Sequence, residues 1–262
     1  MAQTKSWQPT LTKEQSDQLF MLMLEDDTED APWMTMGDLQ FWSASSFAHS
    51  LRNYAHERGL GWYVASMLPI LYTTLDSPRR RQLSPDAFVA FVPEHARQSF
   101  DAEKEGGFPP FVLEVVSPSS TERDELDKQR AYSLLGVQEY ALFTPRDARQ
   151  SKLEGYRRGA NGQFEPWLLD ADGHLWSDVL GLFLIVRGPL LQAQTAAGDL
   201  LLTPEQSGAA LRGAEAARQQ EAIARQQEAV ARQQEATARQ EAEAENARLR
   251  QELARLRGER DE

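Results

Sequence analysis

Apolar residues recur at helical spacing in the stretch from Ser43 to Arg58. Phe47, Leu51 and Tyr54–Ala55 fall at i, i+4 and i+7/i+8, and Gly59 supplies a stop. A shorter amphipathic pattern covers residues 11–25. Beyond Gly59 the period changes, and Trp62–Ala65, Leu68–Thr74, Ala87–Val92 and Phe111–Val116 read as strands. A second helix is predicted over Glu122–Leu135, halted by Gly136, with a strand at Glu139–Thr144 directly after it. Leu153–Arg157, Phe164–Leu169 and, after the turn at Asp172–Gly173, Leu182–Val186 read as closing antiparallel strands. Helix, several strands, helix, strand is the order of an α/β sheet with a crossover connection.

After Pro204 the pattern changes again. Aromatic residues and prolines disappear, and ARQQEAI (217–223), ARQQEAV (224–230) and ARQQEAT (231–237) repeat every seven residues. Alanine, glutamine, glutamate and arginine at these spacings favour a helix, which from Glu205 to Gly258 would run about 80 Å. Its seam is thin: Ile223, Val230 and Thr237 supply one apolar position per heptad, while Leu249, Leu253 and Leu256 take a/d spacing in a shifted phase. Weak self-association into a homo-oligomer through 205–262 and a solvated single helix both fit. The chain therefore divides into an N-terminal helical extension (1–39), an α/β domain (40–204) and a helical tail (205–262).

Composition narrows the chemistry. With no cysteine among 262 residues, disulfides, thiolate zinc sites and cysteine nucleophiles are excluded. The four histidines (His49, His56, His95, His174) show no HxxxH spacing. A metal would be held by oxygen, which points to Mg²⁺, Mn²⁺ or Ca²⁺. No apolar run reaches the roughly 18 residues that cross a bilayer, and the first fifteen residues lack a signal-peptide core, so a cytoplasmic protein with no membrane partner is expected. A net charge of −12 argues against sequence-tolerant DNA binding. Catalytic metal sites are themselves built from acids, however, and Pro78–Arg81 is a local basic patch, unless it is simply a solvated turn.

Three charged residues stand where charge is costly. Glu114 interrupts the apolar run FVLEVV, which suggests a central strand covered on both faces. A carboxylate there must be paired, protonated or metal-bound; a structural ion pair is the plainer alternative. Asp86, in the step SPDA, is aimed by Pro85 out of a strand start, where a capping turn aspartate is the alternative. Lys128 shares a helix stripe with Asp124 and Tyr132 at four-residue spacing, which also suits a surface ion pair beside a packed tyrosine. Two carboxylates from neighbouring strands could hold one hard cation. A nearby lysine could orient a water and offset phosphate charge.

SPDAFVAFV (84–92), FVLEVVSPSS (111–120), D-x₃-K-x₃-Y (Asp124, Lys128, Tyr132) and LGVQEYALF (135–143) occur in that order. The arrangement resembles the Uma2 family of restriction-endonuclease-like proteins in the PD-(D/E)XK nuclease superfamily, over roughly residues 40–190. The resemblance implies a central mixed sheet flanked by helices. It also implies Asp86 and Glu114 as ligands of Mg²⁺ or Mn²⁺, the Val115 carbonyl as a third ligand, and DNA as substrate. The superfamily's E-X-K lysine would fall at Val116, and the resemblance passes that role to Lys128. Asp124 would orient Lys128, and Ser117 and Tyr132 would support the site from behind. A Mg²⁺-dependent endonuclease is the leading expectation. The competing one is a catalytically inactive nuclease-fold module that binds a partner through a C-terminal coiled coil. No GxxxxGK[ST] loop supports a nucleotide-binding enzyme.

Overall fold

The computed structural model describes residues 11–24, 38–74, 77–117, 122–146 and 151–258, with the backbone alone at 20–24, 77–79, 122–124 and 253–258. By internal contacts the chain divides into Met1–Pro204 and Glu205–Glu262.

In the first unit, α1 (Lys13–Leu24) and α2 (Asp38–Arg58) precede β1 (Tyr63–Ser66), β2 (Ile70–Thr74), β3 (Ser77–Leu83), β4 (Ala87–Ala90) and β5 (Phe100–Asp101). A single turn, α3 (Ala102–Glu105), leads to β6 (Phe111–Val115), α4 (Glu122–Leu134), β7 (Glu139–Thr144), β8 (Lys152–Arg158) and β9 (Phe164–Pro166). The remaining strands are β10 (Leu175–Ser177), β11 (Leu182–Arg187) and β12 (Leu190–Gln194). The main sheet has the order β1-β4-β6-β7-β8-β9. Only β6 and β7 run parallel within it, and α4 is the crossover between them. This is the mixed α/β sheet that the order of elements predicts.

All five residues of β6 are buried, Glu114 included, as an apolar run broken only by that acid requires. Alternation divides them between two cores. Phe111, Leu113 and Val115 face one core, with Ala44, Phe47, Ala48 and Leu51 of α2 and the leucines of the β10-β11-β12 sheet. Val112 belongs to the other, with Ala131, Tyr132 and Leu135 at the α4 end and Tyr72 and Phe100 of the β3-β2-β5 sheet. Small residues (Ser43, Ala44, Ser46, Ala48, Ser50) let α2 lie close against the sheet. Gly136, at φ 92°, takes the left-handed conformation that ends α4, and the Val137 N–H returns to the Tyr132 carbonyl at 3.1 Å.

Three local readings change. α2 begins at Asp38, five residues ahead of Ser43. The arginine run Pro78–Arg81 lies within strand β3 rather than in a solvated turn. Arg80 is ion-paired with Asp101, which Lys104 Nζ also reaches at 3.0 Å. β5, α3, β10 and β12 are additional to the predicted elements.

The second unit is one helix, α5 (Pro204–Gly258). Within the heptad repeats its ion pairs are local, Arg225 with Glu221 and Arg232 with Glu228, each four residues apart on exposed faces. No helix among the described residues is long and apolar enough to cross a membrane.

Candidate metal centre on the β4–β6 strand pair

β4 and β6 are antiparallel with Ala87 opposite Leu113. Continuing that register by one residue sets Asp86 across from Glu114, on the face of the sheet that α4 covers. The two carboxylates are almost completely buried, Asp86 at 6% and Glu114 at 5% exposure. Pro85 precedes Asp86, and the Met67 N–H holds the Asp86 carbonyl at 3.0 Å, so the strand entry is fixed from both sides. Asp86 Oδ2 accepts a 2.6 Å hydrogen bond from the backbone N–H of Val115, the residue after Glu114.

From above, α4 delivers two side chains one helical turn apart. Lys128 Nζ lies 2.9 Å from Glu114 Oε2, and the Tyr132 hydroxyl donates to Glu114 Oε1 at 2.6 Å. Tyr132 is fully buried. Burial, then the Glu114 charge, holds its phenol well above the usual range, so it remains a donor. Lys128 is 44% exposed and so stands at the solvent edge of the site. From the opposite layer, Gln40 Nε2 of α2 approaches both Asp86 oxygens at 3.4 and 3.5 Å.

The electrostatics are unbalanced. Among the described residues one lysine serves two adjacent buried carboxylates, so this set of side chains carries an excess negative charge when both acids ionise. Burial first, then the Glu114 charge, pushes the Asp86 carboxyl up to about 7, against the opposing pull of the Val115 N–H, Lys128 and Gln40. Such a pair is relieved by a proton or by a cation of higher charge. The donor set consists of hard carboxylate oxygens, the kind that Mg²⁺ and Mn²⁺ prefer, and the residues present therefore fit a divalent ion.

Of the residues singled out in the sequence, Asp86, Glu114, Lys128 and Tyr132 are brought together. Val115 is engaged through its N–H. Ser117 is half-buried just beyond β6. The side chain of Asp124 lies outside the described residues. Gln40 carried no readable signal: it stands among Leu39, Phe41 and Trp42, and apolar residues so crowded define no single helix face. Glu139 was also passed over. At 3% exposure it accepts hydrogen bonds from Ser177 Oγ and from the Asp178 N–H (2.9 Å), with Arg157 at 3.2 Å. Burial raises its carboxyl above the usual range, against those bonds. It ties β7 to β10 and plays a structural part. A second group with metal-ligating side chains, Asp170, Asp172 and His174, lies in an exposed turn. There Asp170 Oδ1 is already engaged by the Asp172 and His174 N–H groups at 2.9 and 2.8 Å.

The chain is similar to a crystal structure described as a putative nuclease belonging to DUF820 from Anabaena variabilis. Identity is 15%, the match covers 56% of this chain and 75% of that one, and the TM-score is 0.42. No curated protein matches. The model of the Uma2 family, described as "Putative restriction endonuclease", matches residues 32–184, more than half of the chain and inclusive of every side chain described at the β4–β6 pair. The chain belongs to the Uma2 family.

Proposed function

We propose that this protein is a Mg²⁺- or Mn²⁺-dependent endonuclease that hydrolyses DNA phosphodiester bonds. In this reading Asp86 and Glu114 hold the ion, with the Val115 carbonyl as a third oxygen ligand. The observation that carries it is the convergence of two buried carboxylates and one lysine, from the residue that enters β4, from β6 and from α4, on one face of the sheet. The family's description, "Putative restriction endonuclease", supports it.

A divalent ion supplies Lewis-acid stabilisation of the attacked phosphate and a nucleophilic water at neutral pH. The chain's residues do the rest. The Val115 N–H fixes Asp86 Oδ2, which leaves Oδ1 the freer oxygen for a ligand. Tyr132 and Lys128 clamp the two Glu114 oxygens from one side, so the carboxylate is oriented before anything binds. Lys128, at the solvent edge, is placed to offset phosphate charge and orient the attacking water once a cation relieves its pairing with Glu114.

The test is cleavage of supercoiled plasmid by the purified chain with Mg²⁺ or Mn²⁺, set against Asp86→Ala and Glu114→Ala. Conversion to nicked and linear forms by the parent protein alone is expected. Absence of cleavage in either metal, or equal cleavage by the variants, overturns the proposal.

A further inference from the structure

We propose that the end of α5, from Arg239 to Arg257, forms a parallel, in-register two-stranded coiled coil with a second copy of this chain. The argument is independent of the catalytic reading.

The helix is continuous to Gly258, so heptad positions can be counted along it without a break. Upstream, the repeats place Ile223, Val230 and Thr237 seven residues apart, and their partner seam position falls on glutamine. Ile223 and Val230 are about half exposed there, and the flanking charges pair within the helix. That surface is a poor seam. Downstream the pattern changes. Asn246 and Leu253 take position a, and Ala242, Leu249 and Leu256 take position d, giving an unbroken a/d line. Leu249 is 52% exposed, a large apolar side chain left open to solvent among the described residues.

Charge selects the partner and its direction. Positions g are Glu245 and Glu252, and positions e that follow are Arg250 and Arg257. In a parallel pair each g faces the e′ of the next heptad, so Glu245 meets Arg250 and Glu252 meets Arg257 of the partner copy, twice over by symmetry. In an antiparallel pair g faces g′ and e faces e′, which sets glutamate against glutamate and arginine against arginine. The sequence therefore complements itself in one orientation only. Asn246, the polar a residue inside the seam, strengthens the same choice: it is satisfied by its own copy only when two parallel strands are in register. Arg239, which would occupy the preceding a, is held instead by Glu243 on its own helix at 3.1 Å, and this marks where the seam begins. A seam this short gives a dimer that dissociates on dilution. The two copies of Pro204 then lie at the same end of the pair.

Sedimentation equilibrium of the full chain over a dilution series tests this. A reversible shift between 29.6 kDa and twice that mass is expected. Glu245→Arg with Glu252→Arg weakens association about tenfold or more at low salt, and adding Arg250→Glu with Arg257→Glu restores it. Because the chain has no cysteine, Ala242→Cys introduces a single thiol, at a d position. Under mild oxidation it closes a disulfide across the parallel pair but not across an antiparallel one. A monomer at every concentration, a dimer indifferent to the charge exchange, or a dimer that Ala242→Cys cannot cross-link overturns the proposal.

Discussion

Asp86 is the residue whose state is most sensitive to conditions. Its carboxyl is raised from the ordinary aspartate range to about 7, with burial the largest cause and Glu114 the next. A group whose pKa is higher folded than unfolded binds its proton more tightly in the native state. Its contribution to stability is therefore complete below about pH 4 and is lost as pH rises through about 7. In the presence of a chelator, the chain should melt at a lower temperature at pH 8 than at pH 5, this site having lost on the order of a few kcal/mol of stability by the higher pH. Asp86→Asn, neutral throughout, should flatten that part of the profile. A variant whose pH dependence matches the parent's would show that the excess charge is relieved elsewhere. The residue scale is also where the sequence was most informative. A glutamate inside an apolar run announces itself because burial of its charge is so costly, whereas Asp86 and Lys128, each weak alone, stand out only beside it and through the resemblance to the Uma2 family. Gln40 did not: a neutral amide among exposed aromatics costs little wherever it sits, so nothing in the pattern singled it out.

Among the elements, those buried on two faces were legible and those at edges were not. β6 and β7 present largely apolar runs, each carrying one buried glutamate, because helices and a further sheet cover them. β3 reads as a basic turn because it is the edge of the β3-β2-β5 sheet, where arginines are tolerated and discourage further strand pairing. β5 and α3, at two and four residues, are too short to establish any period. The crossover helix α4 matters most for the site, since it delivers Lys128 and Tyr132 to Glu114. Its end is set by Gly136, where an added Cβ would meet nothing within 4 Å, so backbone strain alone decides a substitution there. Gly136→Ala should therefore cost about 1 kcal/mol, through the left-handed conformation. It should lower the melting temperature modestly while leaving the Lys128–Glu114 geometry and any cleavage unchanged. A loss of cleavage out of proportion to the loss of stability would show that the turn does more than terminate the helix.

At the scale of the whole molecule, the acidic excess and the proposed metal site bear on each other. Most of the surplus negative charge lies within residues 1–204, since the tail's glutamates and arginines nearly balance. A chain of this charge does not gather DNA by bulk attraction, so a bound cation would have to supply local positive potential as well as chemistry. The same ion should be visible as a stabiliser of the entire fold, because the unfolded chain does not hold Asp86 and Glu114 side by side. A ligand present at a hundredfold excess over its dissociation constant adds about 2.7 kcal/mol, which in a domain of this size raises the melting temperature by roughly 5–10 °C. Mn²⁺ should produce a shift of that order, reversed by chelator. Glu114→Gln should abolish it, because the loss of one anionic ligand leaves the pocket without the charge to outcompete water. A shift that persisted in Glu114→Gln but vanished on substitution of Asp170 would move the metal from the sheet to the exposed turn and leave the buried acids with a purely structural part.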